Sequence, residues 1–184
     1  MKKTICLLAL VVGALALGSP QARAQKDPDV GGAPMCANKT IVENAVISPI
    51  NKTLVAAVKA GGLVDTLNSP APFTVFAPTD DAFGKLPAGT VDNLVKPENK
   101  DTLVKILTYH VVPGRISSKQ LIGMLQKGGG TATLKTVEGE DLTANMSGDN
   151  IVLTDAKGGT ATITTANVYQ SNGVIHVIDF VLMP

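Results

Sequence analysis

Residues 74–83 read TVFAPTDDAF and residues 172–184 read NGVIHVIDFVLMP, with YHVVPGR at 109–115 between them. In the first stretch Phe73, Thr74, Val75, Phe76 and Ala77 form a short run of β-forming residues that Pro78 stops. In the last, Val174, Ile175, Val177, Ile178, Val181 and Leu182 leave little polar surface. That pattern marks a strand buried on both faces rather than one with a wet side. Tyr109 and His110 read as a helix end that gives way to a strand at Val111 and Val112.

Outward from these stretches the chain divides into a helical half and a strand-rich half. Thr40 and Glu43 have the spacing of a capping box, in which hydroxyl and carboxylate satisfy each other's free backbone donors. Leu54, Val55 and Val58 share one helical face, and Gly61-Gly62 permits the left-handed backbone that ends a helix. Leu63, Val64 and Leu67 make a further short turn. Thr79 or Asp80 can cap a short helix that carries Ala82 and Phe83 inward. Pro97 sits where a first helical turn tolerates it, ahead of the apolar face Leu103, Val104, Ile106 and Leu107. Ser117-Ser118 opens another helix, which ends near Gly128–Gly130. Beyond it strands are expected at 132–136, 141–145, 151–153, 161–168 and 174–178. Asp149-Asn150, Gly158-Gly159 and Asn172-Gly173 punctuate them, the last being a tight-hairpin signal. Helices followed by strands imply α+β, and no internal repeat divides the chain.

The three quoted stretches, in this order, resemble the two sequence blocks and the central Tyr-His motif of the fasciclin domain family, a secreted adhesion module. The resemblance covers residues 38–184, the length of one such domain. It implies a β-wedge of two packed small sheets with a helical lobe, the two blocks lying side by side as central strands. Members share a scaffold rather than a reaction, so the family indicates architecture more sharply than task.

The ends and the charge bound the setting. Lys2 and Lys3, an apolar run over 5–17 and Ala22-Arg23-Ala24 make a signal peptide over 1–24, with cleavage expected before Gln25. The run falls short of a membrane span, which takes about 20 residues. The two-lysine start is of bacterial type, and the mature chain is expected to be secreted or periplasmic, with no membrane span. Residues 25–37 read as an irregular leader. Lys2, Lys3 and Arg23 are the charges of the first 24 residues, so the remainder carries 13 basic against 15 acidic side chains. That balance gives no footprint for nucleic acid. Cys36 is the only cysteine after the signal, which excludes an internal disulfide and leaves either a packed thiol or a Cys36-linked dimer. Asn38, Asn51 and Asn145 each begin an N-x-Ser/Thr acceptor pattern.

No enzymatic activity, cofactor or metal is expected. His110 and His176 are far apart with one cysteine, which is no zinc spacing, and the triplet at 128–130 lacks the Lys-Ser/Thr of a phosphate loop. His110 can donate to a carbonyl or to a carboxylate such as Asp80 or Asp81. His176 reads as a satisfied sheet residue, Asp80 and Asp81 as helix-start residues, and Asp179 as the end of the last strand. In animal members the Tyr-His region resembles an integrin-contact segment, which makes Tyr109, His110, Pro113, Gly114 and Arg115 the interaction candidates, for a surface or matrix protein or a homotypic contact. Some members bind apolar ligands such as carotenoids. The alternative is therefore an apolar pocket between helices and sheet, with Leu121, Ile122, Met124 and Leu125 as its candidates.

Overall fold

A computed structural model describes residues 28–184, so the signal peptide expected over 1–24 lies outside the described residues. Strand β3 (Phe73–Pro78) and strand β9 (Gly173–Ile178) lie parallel at the centre, with Val75 opposite Ile175 and Phe76 opposite His176. Every residue of β9 is buried, His176 included, as expected of a strand apolar on both faces. Alternate side chains leave on opposite faces. Val75, Ala77, Ile175 and Val177 enter one core and Phe76 and Ile178 another. The two blocks quoted first are thus the shared wall between two cores.

The seven main strands run in the order β4-β3-β9-β8-β7-β6-β5. Strand β4 (Val111–Pro113) edges β3, while β5 (Thr131–Lys135), β6 (Asp141–Ser147) and β7 (Asn150–Thr154) form a meander. The 11-residue β8 (Thr160–Gln170) joins the halves: Thr160–Thr162 pairs with β7 and the remainder with β9. Two register shifts, between Ile163 and Thr165 and between Thr165 and Val168, bend it. The two sheets of the expected wedge therefore share one strand. Between them lies the second core, closed by α7 (Ser118–Lys127) through Leu121 and Leu125.

The helical lobe covers the other face. It holds α1 (Ile41–Ile47), α2 (Lys52–Gly61), α3 (Val64–Asn68), α4 (Asp80–Gly84), α5 (Thr90–Leu94) and α6 (Lys100–Tyr109), with a 3₁₀ turn at Pro97–Asn99. Thr40 and Glu43 form the capping box, Gly62 takes φ +73° at the end of α2, and the Thr79 hydroxyl caps α4. The short α5 has no counterpart in the sequence reading, because its apolar residues are too few to show a helical period.

From Pro28 onward the leader, expected to be irregular, holds a short pair of strands. β1 (Asp29–Val30) and β2 (Ala33–Pro34) form a hairpin, and Val30 and Met35 are buried in the helical core. Two apolar side chains suffice to dock it. At the far end the β8–β9 hairpin turns through Ser171 and Asn172, and Gly173 is already strand. A β-carbon on Gly173 would meet the Phe73 carbonyl and come within 2.7 Å of Ile41 Cδ1. Close approach of β3, not backbone sign, demands that glycine.

Candidate functional site

The sequence candidates from 109 to 115 separate into buried and exposed groups. Tyr109 is fully buried, and its hydroxyl donates to the Asp141 carbonyl (3.0 Å) and accepts from the Ala156 amide (3.2 Å). His110 is also buried. Its Nδ1 donates to the Ile106 carbonyl (2.8 Å) and its Nε2 accepts from the Leu182 amide (3.0 Å). Both bonds require the neutral ring, and burial pushes its pKa down to about 4. A carboxylate partner at Asp80 or Asp81 is not found: Asp80 accepts from the Lys52 and Thr53 amides, satisfying the first turn of α2. His110 therefore ties the end of α6 to the C-terminal segment.

Pro113 and Arg115 are exposed and Gly114 half-buried, on a loop braced from below by β3, β8 and β9. The Thr74 hydroxyl donates to the Gly114 carbonyl (2.7 Å) and accepts from the Ile116 amide (2.8 Å). Asn167 accepts from the Ser118 amide (2.8 Å) and donates to the Ser118 hydroxyl (2.6 Å). Asn167 has φ +61°, alone among the described non-glycine residues in the left-handed region, and lies where β8 shifts register. Asparagine tolerates that backbone, and the bulge re-aims its side chain toward α7. His176 Nε2 donates to the Ile116 carbonyl (2.8 Å), and burial lowers its pKa in turn. Phe76 stacks on the same ring, with centroids 5.7 Å apart. Arg115 donates from Nη2 to the carbonyls of Gln170 (2.9 Å) and Ser171 (3.0 Å), so its guanidinium is engaged with the hairpin.

The apolar candidates on α7 divide between core and surface. Leu121 and Leu125 are fully buried in the second core, whereas Ile122 and Met124 flank that face on either side of the helix and are exposed. A four-residue apolar segment on one turn cannot direct all its side chains to the same place. A cavity of about 50 Å³ lies in the helical lobe. Its floor is Val75, Ala77, Ile175 and Val177 of the central strands. Its walls are Ile41, Val42 and Ala45 of α1 and Leu54, Val55 and Val58 of α2, with Val30 and Met35 of the leader also lining it. The dense apolar run of β9 marked its two floor residues as buried. Nothing in the sequence marked the space above them, since a void depends on how side chains from segments far apart in the chain fail to meet.

The polar groups at the cavity are internally matched. Ser48 donates to Asn51 Oδ1 (2.7 Å), and Asn51 Nδ2 donates to the Pro78 carbonyl (2.8 Å). Asn51, one of the three acceptor-pattern asparagines, is thus buried with its amide nitrogen occupied. Among the described residues no group of three His, Cys, Asp or Glu is placed to hold a metal, and no helix is long and apolar enough to cross a membrane. The Cys36 thiol is free and half-buried, with its own backbone clamped by Asn44. Asn172, missed in the sequence except as a turn residue, accepts from the Ile41 amide (3.0 Å) and donates to the carbonyls of Leu67 (2.6 Å) and Ser69 (3.2 Å). It fastens α1 and α3 to the hairpin.

Comparison with known proteins bears on this geometry. The sequence pattern of the family described as "Fasciclin domain" matches residues 49–184. A Synechocystis protein is 49% identical over 160 residues, 87% of this chain and 82% of its own length. The cell surface glycolipoprotein MPB83 of Mycobacterium bovis is 35% identical over 172 residues, 91% of this chain and 70% of its own. The immunogenic protein MPB70 of the same species is 41% identical over 122 residues, 66% of this chain and 54% of its own. Among solved structures, a FAS1 domain pair from the insect cell adhesion molecule fasciclin I superposes with a TM-score of 0.53 at 26% identity. The match covers 71% of this chain and 44% of that one.

Proposed function

This chain belongs to the fasciclin domain family, and from that premise we propose that it is an exported, non-catalytic domain acting in adhesion or matrix contact through its protein surface. The observation that carries the reading is the braced loop over 113–118. Thr74, Asn167 and His176, from three strands, hold its backbone, while Pro113, Arg115 and the following Lys119 face solvent. A loop already fixed in one conformation loses little entropy when a partner docks on it. Relatives named as a cell surface glycolipoprotein and as a cell adhesion molecule support a surface setting, secreted or periplasmic. The half-buried Cys36 thiol offers a route to a linked pair of chains.

The test is attachment of the purified chain to envelope fractions of its host, comparing Lys119→Glu with Lys157→Glu on the β7–β8 turn. Loss of attachment in the first and retention in the second is expected. Equal attachment of both would remove the loop from the contact.

The helical-lobe cavity favours a second reading, an apolar small molecule held between helices and sheet. Its walls are almost wholly aliphatic, as in sites that bind by exclusion of water.

A further inference from the structure

The cavity also specifies which end of a ligand goes in. Its buried polar neighbours have no unmet hydrogen bond: Ser48 and Asn51 satisfy each other and the Pro78 carbonyl, and both nitrogens of His110 are occupied. Among the described residues no buried side-chain polar atom lacks a partner. A polar group pushed to the floor would lose its water and find nothing in return. The interior therefore accepts hydrocarbon alone.

The mouth is different. Val42, Ala45, Val55, Leu63 and Val64 around it are half-buried, and the exposed Lys59 is the one charged side chain on the wall. Lysine can lay its methylene stem along such a wall while its ammonium stays in water. Lys59 takes part in no ion pair among the described residues, in contrast to Lys85, Lys105 and Lys135. A cation standing at the rim of a hydrocarbon slot complements an anion carried on a hydrocarbon tail.

Size narrows the class further. About 50 Å³ corresponds to roughly four water-sized spheres. That admits the end of one alkyl chain and not a rigid polyene along its length.

We propose that the α1–α2–α3 cavity binds a single-chain anionic amphiphile, a fatty-acid-type carboxylate, with its tail against Ile175 and Val177 and its head at Lys59. This rests on the cavity reading above and adds the ligand's charge and orientation.

The experiment is a calorimetric titration of the full chain with octanoate, octanol and octylammonium, each below its aggregation concentration, at neutral pH. Octanoate is expected to bind about 2- to 5-fold more tightly than octanol, the range of an exposed ion pair, and octylammonium more weakly than either. Lys59→Met, which keeps the stem and removes the charge, is expected to bring octanoate to the octanol value and leave octanol unchanged. Val55→Trp at the mouth is expected to abolish binding of all three, with unchanged circular dichroism as the check on folding. Equal binding of octanoate and octanol, or an octanoate preference that survives in Lys59→Met, overturns the proposal while the apolar-cavity reading stands. No binding of any probe overturns both, and so does binding that Val55→Trp leaves intact.

Discussion

The two faces of the β3–β9 pair are built from neighbouring residues of the same strands and have opposite packing. On the wedge side Leu134, Leu142, Ala144 and Leu153 are buried to 2% exposure or less between two hydrogen-bonded sheets. On the lobe side Ile175 and Val177 are also buried, yet the helices above them leave a cavity. Sheets joined by a shared strand have their spacing set by the backbone ladder. Short helices separated by loops are set by side chains alone, and helices of five to ten residues have few contacts with which to close a gap. The rigid face serves as scaffold and the incompletely filled face is where a ligand can enter.

Truncation should expose that difference most strongly. Leu153→Ala, in the closed core, is expected to cost about 3–4 kcal/mol in urea unfolding, since its surroundings cannot collapse. Val58→Ala, at the cavity wall, should cost about 1 kcal/mol, because part of its surface already lacks a partner. Equal losses would mean that the two faces pack alike.

Acid should act next. His110 ties the last turn of α6, on the lobe side, to Leu182, which lies in the wedge core, so it joins the two faces. Its pKa is lowered from the ordinary 6.5 to about 4 by burial. Between those values the unfolded chain takes up a proton that the folded chain refuses. Stability is therefore complete above pH 6.5 and is lost as pH falls toward 4, by up to about 3 kcal/mol from this residue. The lowered pKa of His176 acts in the same direction. His110→Gln, which does not titrate over this range, should flatten the pH dependence of the urea midpoint; a curve as steep as the parent's would place the effect elsewhere.

Adding carbon should separate the faces by sign. Ala144→Leu overfills the wedge and is expected to destabilise by about 1–3 kcal/mol. Val177→Ile extends into the cavity and is expected to be neutral or stabilising by up to about 1 kcal/mol, read from thermal midpoints. Destabilisation by Val177→Ile comparable to that by Ala144→Leu would show that no usable space exists above β9. The smallest effect belongs to Lys59→Met, an exposed change expected to move stability by less than about 0.5 kcal/mol.

Much of the architecture was legible from single segments. The apolar density of β3 and β9, the capping box at Thr40 and Glu43, and the double glycine after α2 are local patterns with one physical reading each. Cross-chain polar braces were not legible. Asn172 reaches Ile41, Leu67 and Ser69, and Asn167 reaches Ser118, through pairings 49 or more residues apart. In the sequence each is an asparagine in a turn or strand, with no sign of its distant partner. The division within α7 was hidden for a related reason: Leu121, Ile122, Met124 and Leu125 are all apolar in sequence, but the helical period buries Leu121 and Leu125 and leaves Ile122 and Met124 on the two flanks.

By itself the sequence determined which segments are strands hidden on both faces, where several helices begin or end, and to which family the chain belongs, because each of those rests on patterns local to short segments. Only the tertiary structure decided that Tyr109 and His110 are core, that the loop after Pro113 is held rigid, and that empty space lies above Ile175 and Val177. Burial and voids are sums over side chains from distant segments, and no single segment carries them.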